Sequence, residues 1–307
     1  MFKKIAGILI ITFIIAASLY LLLEKKSIEN QSAKSTAQSE KLDIAVSIYP
    51  LAYFTEKVGG DFVTIHLITP GGTEPHDYAP TPIDIITVES SRALVYNGAG
   101  VDAWADHVAP DLRKKGIPVL KMIDYLSGVS KESVDPHIWL DLILVKRQVE
   151  NIVQLLTDLD PNHESIYKNN AAVYLGELSK LDDDYKNGLV NCRLKEIVSA
   201  HDAFAYLGSR YDFTIHPIAG ISPEDEPSAA QLAALTELIR QKHIQTIFFE
   251  NFVSPKLSET LARETKAKVA VLNPIEGLTS EESDAGKNYD ILMRENLEAL
   301  KKAMLCT

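Results

Sequence analysis

Three of the eight histidines in this 307-residue chain stand just past short β-rich runs: His76 in "GGTEPHDYAPTP", His137 in "DPHIWLD" and His201 at the end of "EIVSAH". Imidazole is the commonest metal ligand among side chains. Imidazoles from well separated loops meet only where strand ends face one another across a crevice. A fourth donor is available in "LNPIEGL", where Asn273 follows a strand and Glu276 lies in the loop. A carboxylate binds a divalent cation more strongly than an amide oxygen, and Gly277 allows close backbone approach, so Glu276 is the better donor. Glu250, closing "TIFFE", is either a further ligand or an acceptor for an imidazole N–H. Three neutral nitrogens and one carboxylate suit Zn(II), whereas Mn(II) and Mg(II) favour more oxygen donors. With Glu276 as fourth ligand no position remains for an activated water, so such a centre would hold metal rather than use it.

The other histidines read as ordinary. His66 and His216 fall inside strand runs, and His107, His163 and His243 fall in helical or polar surface contexts, where packed or solvated imidazoles are the norm.

The elements needed to bring His76, His137, His201 and Glu276 together are legible. "IAVSIY" (44–49), "VTIHLIT" (63–69), "ALVYNG" (93–98) and "VLKMI" (119–123) read as buried parallel strands separated by helices. "EIVSAH" (196–201), "FTIHPI" (213–218), "TIFFE" (246–250) and "KVAVLNP" (268–274) repeat the alternation. Between the two sets a helix-forming stretch runs from Asn162 to about Asn187 without proline, as a spine would. Thr81 with Asp84, Ser228 with Gln231, and Ser254 with Pro255 mark helix starts. The fold class is therefore α/β: two lobes, residues 42–160 and 191–307, each a mainly parallel sheet flanked by helices, joined by one long helix over 161–190. Such sheets place ligands outside the carboxyl ends of their strands.

Composition narrows the setting. A formal charge of -11 argues against a nucleic-acid partner. Lys3 and Lys4 precede an apolar run from Ile5 to Leu23, close to the roughly 20 residues that span a bilayer and longer than a cleavable core. Residues 1–26 are thus expected to be a membrane anchor in preference to a cleaved signal, followed by a polar linker over 27–41. No lipobox cysteine follows the apolar run. The body then faces outward, at the cell surface if tethered or secreted or periplasmic if cleaved, where Cys192 and Cys306 are expected to form a disulfide.

Those residues carry a resemblance. "PGGTEPHDYAPTPIDI", "DPHIWLD", "HDAFAYLGSRY", "FFENFVSPKLSETLARET" and "LNPIEGL" followed by "YDILMRENLEALKKA" are similar, in order, to the blocks of the metal-binding receptors of zinc and manganese ABC importers, the cluster A-I or ZnuA/TroA-like group. The resemblance spans Leu42 to Ala303. It implies two α/β lobes joined by one helix, with the metal pinned between them by His76, His137 and His201. In zinc receptors of the group the acid matching Glu276 is the fourth ligand; in manganese receptors a glutamate commonly matches His201 and an aspartate matches Asn273. The chain has the zinc pattern. It lacks the His- and acid-rich insertion many zinc receptors carry before "DPHIW", having "SKESV" there. The resemblance implies a monomeric binder, not an enzyme, that carries Zn(II) to an ABC permease. A manganese receptor, an adhesin-like zinc protein and a zinc hydrolase using Glu276 or Glu250 as base are the alternatives, although neither an "HExxH" helix nor a nucleophile elbow is present.

Overall fold

Two four-stranded sheets, each entirely parallel, organise the computed structural model, which describes residues 41–125 and 135–307. The first contains β1 (Leu42–Val46), β2 (Val63–Leu67), β3 (Ala93–Tyr96) and β4 (Val119–Lys121), in the order β2-β1-β3-β4. The second contains β5 (Glu196–Ser199), β6 (Thr214–Pro217), β7 (Thr246–Phe249) and β8 (Lys268–Val271), in the order β6-β5-β7-β8. Each sheet starts at an inner strand, steps to one edge and then returns to build the other side. The order therefore reverses between β1 and β3 and between β5 and β7, and a crevice opens beyond the strand ends at each reversal.

All eight strands fall where the apolar runs predict, but each ladder ends two or three residues early, or one in the cases of Ile218 and Glu250. The reason is that burial outlasts pairing. Ile48, Ile68, Ile218 and Leu272 lie beyond the last ladder pair yet are buried, so apolar character alone does not mark the strand end.

The helices are α1 (Tyr49–Gly59), α2 (Pro82–Ser90), α3 (Ala103–Lys114), α4 (Leu142–Leu159), α5 (Glu164–Leu189), α6 (Ala205–Tyr211), α7 (Ala229–Gln241), α8 (Lys256–Thr265), α9 (Ser280–Asp284) and α10 (Tyr289–Met304). Capping boxes open α2 through Thr81 and Asp84 and α7 through Ser228 and Gln231. The start of α8 departs from expectation. Pro255 is itself the cap residue, with helical φ -72° and ψ -4°, and no side chain caps this end; the fixed proline φ shifts the start past Ser254.

Helix α5 falls where the long proline-free helix is expected and is entered through a short 3-10 turn at Pro161–His163. Tyr167, Ala171, Tyr174, Leu178, Leu181, Tyr185 and Leu189 recur every three or four residues and bury one stripe against α1, α4 and α10. One apolar core runs from Ile44 and Phe54 through Trp139, Tyr174 and Tyr185 to Tyr289 and Leu300, so the two sheets share it. Residues 42–307 form one compact unit.

Among the described residues no helix is long and apolar enough to cross a membrane. The anchor expected at 1–26 and nearly all of the linker expected at 27–41 lie outside the described residues. Cys192 and Cys306 are joined as expected, tying the start of the second sheet region to the chain end across a separation of 114 residues. Replacing both by serine is expected to lower the unfolding free energy by about 2–4 kcal/mol while leaving metal stoichiometry unchanged, measurable by urea denaturation of zinc-free protein and metal analysis.

Candidate metal centre

His76, His201 and Glu276 follow the carboxyl ends of β2, β5 and β8, and His137 comes after β4 and a short 3-10 turn at Met122–Tyr125. His76 occupies a 3-10 turn, Pro75–Asp77, after β2. His137 precedes another at Ile138–Leu140, His201 comes two residues beyond β5, and Glu276 lies in the loop after β8. Among the described residues, His76, His137, His201 and Glu276 form a group able to hold a metal ion, with one donor atom from each within 4.8 Å of the others. His137, His201 and Glu276 are buried and the His76 side chain is only 7% exposed.

The separations are specific. The Nε2 atom of His137 is 3.4 Å from that of His76 and 3.3 Å from that of His201. Glu276 Oε1 is 3.2 Å from His137 Nε2 and 3.5 Å from Nε2 of both His76 and His201. Donors on a tetrahedron around an ion at about 2.0–2.1 Å are roughly 3.3–3.4 Å apart, and the five separations above lie within about 0.1 Å of that range. Glu276 Oε1 is buried and receives no well-directed hydrogen bond. Nitrogen and carboxylate lone pairs aimed at one another repel; a cation at their centre satisfies all four.

The imidazole tautomers follow from the outer contacts. His137 Nδ1 is 2.7 Å from Asp135 Oδ1, and His201 Nδ1 is 2.6 Å from Glu250 Oε2. A carboxylate cannot donate, so both Nδ1 atoms carry a proton and both Nε2 atoms face the centre, where they are the atoms available to a metal. Asp135 and Glu250 also accept from the backbone N–H of the same histidines, at 2.9 and 3.2 Å, fixing ring and main chain together. Glu250 therefore occupies the second of its two expected roles, as an acceptor for an imidazole N–H.

The Glu276 loop is built under constraint. Ile275 has φ 59°, a left-handed conformation costing a β-branched residue about 1–2 kcal/mol. Asn273 Oδ1 accepts from Ile275 N at 2.8 Å and its Nδ2 donates to Glu282. Asn296 of α10 exchanges two hydrogen bonds with the Asn273 backbone. Asn273, the weaker alternative donor, is thus spent on holding the turn that presents Glu276. A Cβ on Gly277 would stand 3.3 Å from the Phe252 ring, a tighter contact than usual.

Asp135 and Glu74 were not singled out by sequence reasoning. Both lie two residues ahead of a donor histidine, a spacing that lets a loop carboxylate accept that residue's backbone N–H, as Glu74 does from His76 at 3.3 Å. The remaining histidines are elsewhere: His66 contacts Asp43, His163 contacts Asp160, His216 contacts Glu196, and His107 and His243 are exposed.

Charge is strongly coupled here. Burial alone would raise the Glu276 carboxyl, but His137, His201 and His76 hold it well below the ordinary carboxylate range. Burial would lower His201, yet Glu250 and then Glu276 push it up to about 10, and Asp135 with Glu276 likewise outweighs burial to raise His137. Burial and the nearby Glu276 charge push Glu74 up to about 8.

A model of the family described as zinc-uptake complex component A, periplasmic, matches residues 44–303. The chain belongs to this ZnuA family. ZnuA-family relatives include the high-affinity zinc uptake system protein ZnuA of Bacillus subtilis, 34% identical over 323 residues and covering 99% of both chains. The zinc-binding lipoprotein AdcA of Streptococcus pneumoniae is 35% identical over 85% of this chain, which spans 56% of that longer protein. The crystal structure of the Zn(II)-bound ZnuA-like domain of the same AdcA superposes with a TM-score of 0.77 at 36% identity, covering 86% of this chain and 99% of the domain.

An ion entering this ZnuA-family site must displace the proton that His201 otherwise keeps. Metal affinity is expected to rise by about one decade per pH unit for each proton displaced, continuing above the ordinary imidazole range toward pH 9. Metal-free protein should behave conversely. Because the His201 pKa is raised on folding, its stabilising contribution is complete below the unfolded value near 6.5 and is lost as pH climbs toward 10. Competition titrations with a chelator and melting curves across pH 6–10 check both.

Proposed function

We propose that the chain is an extracytoplasmic Zn(II)-binding receptor that captures zinc at high affinity and delivers it to an ABC permease, with His76, His137, His201 and Glu276 as the four ligands. The tetrahedral spacing of three imidazole nitrogens and one carboxylate oxygen carries this reading. The donor set favours Zn(II) over Mn(II), which takes more oxygen ligands. The names of the Bacillus subtilis and Streptococcus pneumoniae relatives, a zinc uptake protein and a zinc-binding lipoprotein, agree with it.

Zinc is cargo in this reading. Four protein donors complete the tetrahedron, so no position is left for a water to be activated, and the family is one of metal-binding receptors rather than enzymes. Asp135 and Glu250 hold His137 and His201 in the tautomer that binds metal and increase their basicity. Burial removes the competing water that would weaken a charged carboxylate's hold on the ion.

Residues 42–160 and 191–307 act as two lobes linked by 161–190, and the core shared across α5 limits them to small displacements around the ion. Residues 1–26 tether the body to the outer face of the membrane through the polar stretch at 27–41, and the receptor works as a monomer.

Protein purified without added metal should contain about one zinc per chain. Glu276→Ala and His201→Ala should each weaken zinc by more than the about 10–100-fold that follows loss of a supporting hydrogen bond. Metal analysis with chelator competition measures both, and unchanged zinc binding in either variant removes that residue from the ligand set.

A further inference from the structure

We infer that the Trp139 indole sets the separation between His137 and Glu276 and, through it, the preference of the site for a small tetrahedral cation; this rests on the zinc-receptor reading. Trp139 lies two residues after His137, and Pro274 lies two residues before Glu276. The indole Nε1–H donates to the Pro274 carbonyl oxygen at 2.7 Å, joining loops 135 residues apart. Tyr289, at the start of α10, donates its hydroxyl to the Trp139 carbonyl oxygen at 2.6 Å. Trp139 is thus gripped at ring and backbone from the side that carries Glu276. Trp139 and Tyr289 are both 0% exposed, and the indole meets the His137 ring edge-on with centroids 5.2 Å apart.

These contacts form a strut across the floor of the site. Other links between the same regions join different points, among them Tyr206 of α6, which donates to the Asp135 carbonyl oxygen at 3.2 Å but does not belong to the loop that carries Glu276. Gly72 N donates to Leu278 O beside the His76 loop, and Arg210 pairs with Asp141 where its side chain is one-third exposed. The edge spanned by the strut, His137 Nε2 to Glu276 Oε1, is the shortest of the five measured, at 3.2 Å.

A rotatable, solvated link would let this edge lengthen. A longer edge admits the second Glu276 oxygen or a water into the coordination shell. Added oxygen donors and a higher coordination number favour Mn(II) at the expense of Zn(II). The buried indole bond prevents that relaxation, because breaking it strands an N–H and a carbonyl without partners. Trp139 touches no metal in this scheme; it is a positioning residue acting through His137 and Glu276.

The test is Trp139→Phe, which keeps a buried ring and removes the donor. Zinc and manganese affinities are measured by chelator competition on wild type and variant, with the melting temperature of each metal-free protein. Zinc binding is expected to weaken by about 10-fold or more while manganese binding is unchanged or tighter, so that the zinc-to-manganese affinity ratio falls at least about 10-fold. An unchanged ratio overturns the inference, even if both affinities drop together, because general loosening would produce that result. If Trp139→Phe does not fold, Tyr289→Phe removes the opposite end of the strut and is judged by the same ratio. Zinc binding by wild type with an unchanged variant ratio refutes the role of Trp139 alone, whereas wild type that holds no zinc refutes the receptor reading with it.

Discussion

Four donor atoms are held close to a tetrahedral edge apart in a largely buried space, and the unusual features around them trace to that constraint. Without a cation the arrangement survives only by taking up protons, which is why His137 and His201 are raised and Glu276 is lowered. Burying such groups uncompensated is costly, and the surrounding protein must keep them from rotating away. Asp135 and Glu250 do this for two imidazoles, and the strained Ile275 turn does it for the carboxylate.

The sheets meet the constraint by topology. Both reverse direction at an internal strand, and both send their loops to the carboxyl-terminal edge. His76 and His137 come from the first sheet region, His201 and Glu276 from the second. One core passes beneath both pairs, from β1 through α5 to α10.

Much of this was legible in the residues. Apolar runs located all eight strands, proline-free periodicity located α5, and the position of His76, His137 and His201 after strands singled them out from five histidines with surface or strand contexts. Less legible were the limits of elements, because Ile48, Ile68 and Leu272 are buried by packing rather than by ladder pairing. The outer acids divide along the same line. Glu250 ends a strand and was visible, whereas Asp135 and Glu74 lie in loops whose path no local pattern dictates. The Trp139 link to Pro274 was invisible, since contact across 135 residues is a property of the packed whole.

X-ray absorption at the zinc edge of the zinc-loaded protein tests the central claim most directly. Four nitrogen or oxygen donors at about 2.0–2.1 Å are expected, with outer scattering from three imidazole rings. A six-coordinate shell at longer distance, a sulfur donor, or scattering from fewer than three imidazoles would contradict it.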